Sequence, residues 1–393
     1  LLPLAAEIAM GEDVHFKGPV SIAEIQRLNC GLFYGYSQIG KILTFYPREE
    51  NVARLAKELA RVTYGMCGPA IPFERRVAEG SPVFARYGVF VADDSATLLV
   101  PGSGTVEPDR RDRNPVWAPA PDGLFEPIPE RTPGPLSRTF RAYRCVIQRG
   151  KGGVYRAIDL SSATPRHCLL KEGRRLGELE FDGNDGFSRV KREHEALLDL
   201  RRTGVPVPMV YGSFEEGGNM YLALEWIDGN TLLDRLNPAG PKLHFDEALN
   251  LAIQAARLLE NIHAGGWVWR DLKAANFLLG PGEKLVAVDF EGAERIGREI
   301  TSPWGTPGHF SVACEQSTHA NVQQDCFALG ALIHHLFTSE IPQPPELPLL
   351  RATRADAPEV VEHLIADLTD KDPTRRPSAE TAACILRKVN ICA

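Results

Sequence analysis

The sequence predicts an α+β chain: a two-lobed unit, β-rich first and helical afterwards, preceded by a smaller α+β domain. Three observations carry this. From about Thr139 short apolar runs of strand length dominate, and from Asp246 the apolar spacing turns helical. Ahead of that unit, Pro101 to Pro135 carries repeated prolines, glycines and charges, the texture of a linker or extended strap rather than a core. Third, Trp269-Arg270-Asp271-Leu272-Lys273-Ala274-Ala275-Asn276 is followed thirteen residues later by Asp289-Phe290-Glu291. Phe277-Leu278-Leu279 and Leu285-Val286-Ala287-Val288 read as the short strands that fix this pair of loops. The expected units are residues 1–100, a strap over 101–138, and 139–393, the last divided into a small lobe (139–228) and a large lobe (229–393).

Within the first hundred residues, Val52 to Leu59 shows three- and four-residue apolar steps, and Lys41 to Tyr46 reads as a strand. A chain of 393 residues exceeds one ordinary core. Its net charge of −7 argues against a general nucleic-acid binder. Eight cysteines lie scattered with no Cys-x-x-Cys pair, a pattern of reduced thiols in the cytoplasm rather than a disulfide framework or zinc site. No apolar run approaches membrane-spanning length, so no membrane partner is expected. Leu1-Leu2-Pro3-Leu4 lacks a basic flank and is no signal peptide; a start without methionine suggests a fragment or processed end.

The loop residues point to phosphoryl transfer. That reaction needs a carboxylate to hold the attacking hydroxyl, a second carboxylate and an amide to hold metal, and cations to balance charge. Asp271 fits the first role with Lys273 beside it, and Asn276 with Asp289 fits a Mg2+ site, all at protein-kinase spacing. Each of these residue types is also an ordinary turn former, but the remaining elements follow in kinase order. Gly150, Gly152 and Gly153 lie between two strands, where bare backbone amides can approach the phosphates of ATP or GTP. The spacing departs from G-x-G-x-x-G, so a plain hairpin turn remains the alternative. Lys171 ends the next apolar strand as the candidate phosphate-binding lysine, and Glu193, on one helical face with Leu197 and Leu200, is preferred to Glu195 as its partner.

Tyr221 to Gly229 fits an interlobe hinge, with the backbones of Glu225 and Ile227 meeting the base. Trp269 stands where kinases carry a packing histidine. Glu291 replaces the glycine that usually follows Asp-Phe, which restricts the backbone and suggests a constitutively set site. Gly305 to Gly308 matches the segment that receives the phosphate acceptor. Glu315 with Arg376 is an expected buried ion pair, and Asp325 with Gly330 an expected brace for the catalytic loop.

In the first hundred residues, His15, Lys17, Arg27, Lys41 and Arg86 are cations interleaved with apolar residues. They read as an anion site or as scattered surface charges. Phe16-Lys17, Ile25-Gln26-Arg27-Leu28-Asn29, Gly40 to Pro47, Arg86-Tyr87-Gly88, Lys171-Glu172, Arg192 to Leu197 and Val288-Asp289-Phe290-Glu291 together resemble the class III lanthipeptide synthetases. The resemblance covers nearly the whole chain. It implies a phosphothreonine-lyase-like domain ahead of a kinase that phosphorylates serines or threonines of a ribosomally made precursor peptide. The lyase would then expel phosphate to leave dehydroamino acids, with Lys17, Arg27, Lys41 and Arg86 holding that phosphate. The family's Lys-x-His base and acid would fall ahead of residue 1, which gives the expectation of phosphorylation with poor elimination. The cyclase would be separate or missing, since Ala393 follows directly on the kinase.

Overall fold

The computed structural model describes residues 2–392 apart from 12–13, 89–96, 101, 111, 114, 116, 119–120, 128–131, 181, 238–239, 302, 312–315 and 344–346. The N-terminal domain opens with α1 (Leu2–Gly11) and β1 (His15–Lys17). Helix α2 (Ile22–Cys30) starts where Ser21 accepts a hydrogen bond from the Glu24 amide, and stops at Gly31, whose φ of +74° only glycine adopts cheaply. Strand β2 (Thr44–Tyr46) pairs antiparallel with β1, Lys17 opposite Thr44. The strand is shorter than the Lys41–Tyr46 run predicts, because a turn through Gly40, at φ +78°, precedes it. Helix α3 (Glu49–Val62) contains the predicted periodic segment and buries Leu55, Ala56, Leu59 and Ala60 on one face. Two small strand pairs follow: β3 (Arg75–Arg76) with β4 (Phe84–Ala85), and β5 (Thr97–Leu99) with β6 (Val106–Pro108).

Within the proline-rich stretch, Leu124, Phe125 and Glu126 pack against this first domain. Leu124 packs with Ala56, Ala60 and Val77 in its core, the Glu126 amide donates to the Val77 carbonyl at 3.0 Å, and Arg75 lies over the Phe125 ring. A break at residue 100 therefore divides a packed unit. Its low apolar density concealed that a short run, Leu124 to Glu126, joins it to the face of α3 and to Val77.

The kinase-like unit begins with α4 (Pro135–Arg138) and a five-stranded antiparallel sheet ordered β10-β11-β9-β8-β7. Its strands are β7 (Phe140–Arg149), β8 (Gly152–Asp159), β9 (Arg166–Gly173), β10 (Val210–Glu216) and β11 (Asn219–Glu225). Lys171 sits on β9 opposite Val154 and Leu222. Helix α5 (Gly186–Arg202) starts from a reciprocal cap between Asp185 and Ser188 and buries Val190, Glu193, Leu197 and Leu200.

The large lobe holds α6 (Leu232–Arg235), α7 (Phe245–Ala264), α8 (Val322–Thr338), α9 (Leu350–Thr353), α10 (Glu359–Leu368) and α11 (Ala379–Cys392). Between α7 and α8 lie β12 (Trp267–Val268), β13 (Phe277–Leu279), β14 (Leu285–Ala287) and β15 (Glu294–Arg295). The two runs expected to fix the catalytic loops pair as β13 and β14, Phe277 opposite Ala287. One apolar core runs from Leu197 and Leu222 of the small lobe through Trp269 and Phe290 to α8 and α10. The expected Glu315–Arg376 pair lies outside the described residues. Arg376 itself donates to the carbonyls of Asp370 and Gln323 and to Ser311 Oγ.

Two predictions follow from this packing. Leu124→Ala removes the strap's anchor, and denaturant unfolding should show a loss of about 2–5 kcal/mol from the N-terminal domain; an unchanged transition would mean the strap is not part of that core. Separately, burial holds His309 and His335 at about 4, below the ordinary 6.5. Neutral in the fold and protonated when unfolded, they withdraw stability as pH falls from 6.5 toward 4. Melting curves should therefore drop across that window, and His335→Leu should flatten part of the slope.

Candidate active site

The catalytic loop leaves β12 through Trp269, which is fully buried. Its ring stacks on Phe290 (centroids 5.0 Å) and meets Phe277 edge-on, while its indole N–H donates to the Asp289 carbonyl at 3.1 Å. Tryptophan thus fills the histidine position and ties the catalytic loop to the Asp289 segment. Asp325, on α8 and wholly buried, accepts the amides of Trp269 and Arg270, both at 2.7 Å, and contacts His263 Nε2 at 3.0 Å. Arg270 and Asp289 both carry positive φ, at 68° and 65°. Such conformations persist where surroundings over-determine them, and Asp325 with Trp269 supplies that constraint.

These constraints aim Asp271 into a ring of donors. Lys273 Nζ reaches its carboxylate at 2.8 Å, Asn276 Nδ2 at 3.0 Å, and the Thr306 hydroxyl donates to its other oxygen at 2.8 Å. Lys273 also donates to Thr306 Oγ1 at 2.7 Å. Sequence reading placed Thr306 in the acceptor segment but did not foresee its bond to Asp271, formed 35 residues away in the chain.

Across the cleft, Lys171 Nζ donates to both oxygens of Glu193 at 2.9 and 2.8 Å and to Asp289 Oδ1 at 3.0 Å. Glu193 also accepts the Phe290 amide at 3.1 Å. Glu193 is the lysine's partner, whereas Glu195 is exposed. Burial works against the Asp289 carboxylate, but Lys171 and Lys151 hold it well below the usual range. Burial also opposes the Lys171 ammonium; Asp289, Glu193 and Glu291 outweigh it and keep the lysine charged. Glu193, Asp289 and Glu291 bring carboxylate oxygens within 4.8 Å of one another. Asp289 with Asn276 offers the oxygen donors that magnesium takes.

The glycines do something the pattern alone does not specify. Gly150 donates its amide to the Cys30 carbonyl of the N-terminal domain at 3.1 Å, so that amide is not available to a phosphate. A Cβ there would fall 1.6 Å from Asn29 O, and one on Gly152, at φ +151°, would fall 1.7 Å from Glu172 O. Both glycines answer to close backbone approach. At the hinge, the Glu225 amide donates to Met209 O at 2.8 Å.

The four N-terminal cations do not present one free set. Lys41 pairs with Glu74 at 2.5 Å and Arg86 with Asp109, as partly buried cations require. Lys17 lies over the Tyr46 ring, and Arg27, largely exposed, lies over Phe33 with Glu24 at 3.7 Å.

Comparison with known proteins agrees with this geometry. Residues 151–385 match the protein kinase domain model and residues 1–134 match the model of the RamC N-terminal domain. A probable SapB synthase of Streptomyces coelicolor is 30% identical, covering 89% of this chain and 38% of the relative. A probable serine/threonine-protein kinase PknB of Lactococcus lactis and the kinase PrkC of Bacillus subtilis are each 25% identical, over 60% and 61% of this chain and 39% of each relative. The chain thus spans about two fifths of the length of these relatives. No helix among the described residues is long and apolar enough to cross a membrane. The pairing of domains is the one that the resemblance to class III lanthipeptide synthetases implies, and the kinase match over more than half the residues settles the larger unit: the chain belongs to the protein kinase family, with a RamC-type domain ahead of the kinase.

Proposed function

We propose that this chain transfers phosphate from ATP or GTP, with Mg2+, to serine or threonine hydroxyls of a ribosomally made precursor peptide, in lanthipeptide biosynthesis. One observation carries the phosphotransfer: Asp271, ringed by Lys273, Asn276 and Thr306, stands in the same cleft as Lys171 paired to Glu193 and Asp289. The peptide substrate is supported by the N-terminal match and by the relative named a SapB synthase.

In this mechanism Asp271 accepts the hydrogen bond of the incoming hydroxyl and takes its proton as the new O–P bond forms, while the bond from the γ-phosphorus to the bridging oxygen breaks and the nucleoside diphosphate leaves. Lys273 and Thr306 keep that carboxylate in one orientation, and Lys273 balances charge that builds on the transferred group. Lys171 grips the nucleotide's phosphates, held in place by Glu193. Asp289 and Asn276 would hold magnesium, which would supply positive charge against the nucleotide's phosphates. The N-terminal domain would then act on the phosphorylated residue, with Lys17 and Arg27 as its more accessible candidate cations. Elimination there removes an α-proton and expels phosphate, leaving a carbon–carbon double bond.

The test is mass spectrometry of a Ser- or Thr-rich precursor peptide encoded beside the gene, incubated with the chain and magnesium nucleotide. Phosphate adducts are the expected product, and loss of water from the parent mass reports elimination. Asp271→Asn should reduce phosphate transfer by about 10²–10⁴ in rate while circular dichroism stays unchanged. Modification of unrelated proteins in place of the peptide would favour a signalling kinase, and an active Asp271→Asn would remove the base assignment.

A further inference from the structure

Lys151, at the tip of the β7–β8 turn, is a cation that the phosphotransfer mechanism above does not use. Its backbone has little freedom. The Lys151 carbonyl accepts the Arg174 amide at 2.8 Å, and a Cβ on Gly186 would fall 1.7 Å from that same oxygen. One residue earlier, Gly150 is bonded to Cys30 of the N-terminal domain. A turn clamped from both sides does not work as a flap, so displacement of Lys151 falls to its side chain.

That side chain reaches over the cleft to Glu291, 140 residues away, which it contacts through Oε2. The other Glu291 oxygen lies 3.6 Å from Lys171 Nζ, and Lys171 in turn holds Asp289. The two ammonium groups therefore flank one carboxylate. Lys151 stands a carboxylate's width from the lysine assigned to the nucleotide's phosphates. Three carboxylates, Glu193, Asp289 and Glu291, surround these two lysines. Burial opposes the charge on Lys151, and Glu291 with Asp289 overcomes it, so the residue remains a cation. The cavity beneath the turn, lined by Lys151, Gly152, Gly153, Val154, Lys171 and Glu291, measures about 20 Å³. That is room for a single water rather than a phosphate chain. A triphosphate lying between the turn and Lys171 has to part Lys151 from Glu291.

We propose that Lys151 is a second phosphate-binding side chain of the nucleotide site, and that Glu291 competes with the phosphates for it. This rests on the kinase reading above and adds to it a residue the kinase loop pattern does not contain. Glu291, which replaces a glycine, then has a second consequence besides backbone restriction: it sets how tightly the triphosphate is held. Removing Glu291's charge frees Lys151 for the ligand. Removing Lys151 makes Glu291 a bare repulsive neighbour of the phosphates.

Calorimetric titration of the full chain with magnesium ATP and GTP, and with the parent nucleosides as controls, tests this. Lys151→Ala should weaken triphosphate binding by roughly tenfold, the scale of one charge-assisted hydrogen bond, and leave nucleoside binding unchanged. Lys151→Arg should restore most of the affinity. Glu291→Gln should tighten triphosphate binding several-fold, and its gain should vanish when Lys151→Ala is also present. Unchanged triphosphate affinity in Lys151→Ala, with the parent chain binding normally, overturns the proposal and leaves the kinase reading intact. Equal weakening of nucleoside and triphosphate also overturns it, because the turn rather than the charge was lost. A parent chain that binds neither triphosphate overturns both readings together.

Discussion

The ammonium of Lys171 is the point on which the site depends. It is nearly out of water and bonded at once to Glu193 from α5 and Asp289 from the segment after β14. A buried charge of this kind is costly unless paired, and removing one partner leaves the others uncompensated. Three elements of different sequence position are therefore bound to one arrangement: strand β9, helix α5 and the metal-binding segment. The Phe290 amide, donating to the same Glu193, extends the arrangement to the stacked Trp269 ring.

From Trp269 the constraint passes into the large lobe. Asp325 accepts two consecutive amides of the catalytic loop, which holds Arg270 at a positive φ and directs Asp271 toward Lys273 and Thr306. Tryptophan at this position bonds the Asp289 carbonyl and packs its ring against Phe277 and Phe290. The Glu193 helix and the Asp325 helix each bond to one of the two loops that Trp269 joins.

The N-terminal domain is joined to this system at a sensitive place. Cys30, the last residue of α2, accepts the Gly150 amide, and Tyr36 receives the Arg174 guanidinium over its ring at 4.7 Å. Both kinase residues border the turn that carries Lys151. The domain matched by the RamC model is consequently a structural neighbour of the nucleotide cleft, closed by a strap that returns through Leu124 before the chain enters the small lobe.

Residue order alone pointed to a kinase domain and singled out Asp271, Lys273, Asn276, Asp289, Lys171 and Glu193, which the fold brings into hydrogen-bonded groups. Most of these lie in short loops whose chemistry depends on local spacing, and helical periodicity distinguishes Glu193 from Glu195. The RamC-type domain was legible through short motifs rather than through periodicity. Only the tertiary structure decided the rest. It joined Lys151 to Glu291 and Thr306 to Asp271, gave Leu124 to the first domain's core, and paired Lys41 with Glu74 and Arg86 with Asp109. Pairing between charges far apart in the chain depends on how whole elements pack, and burial sets its strength; neither has a signature in residue order.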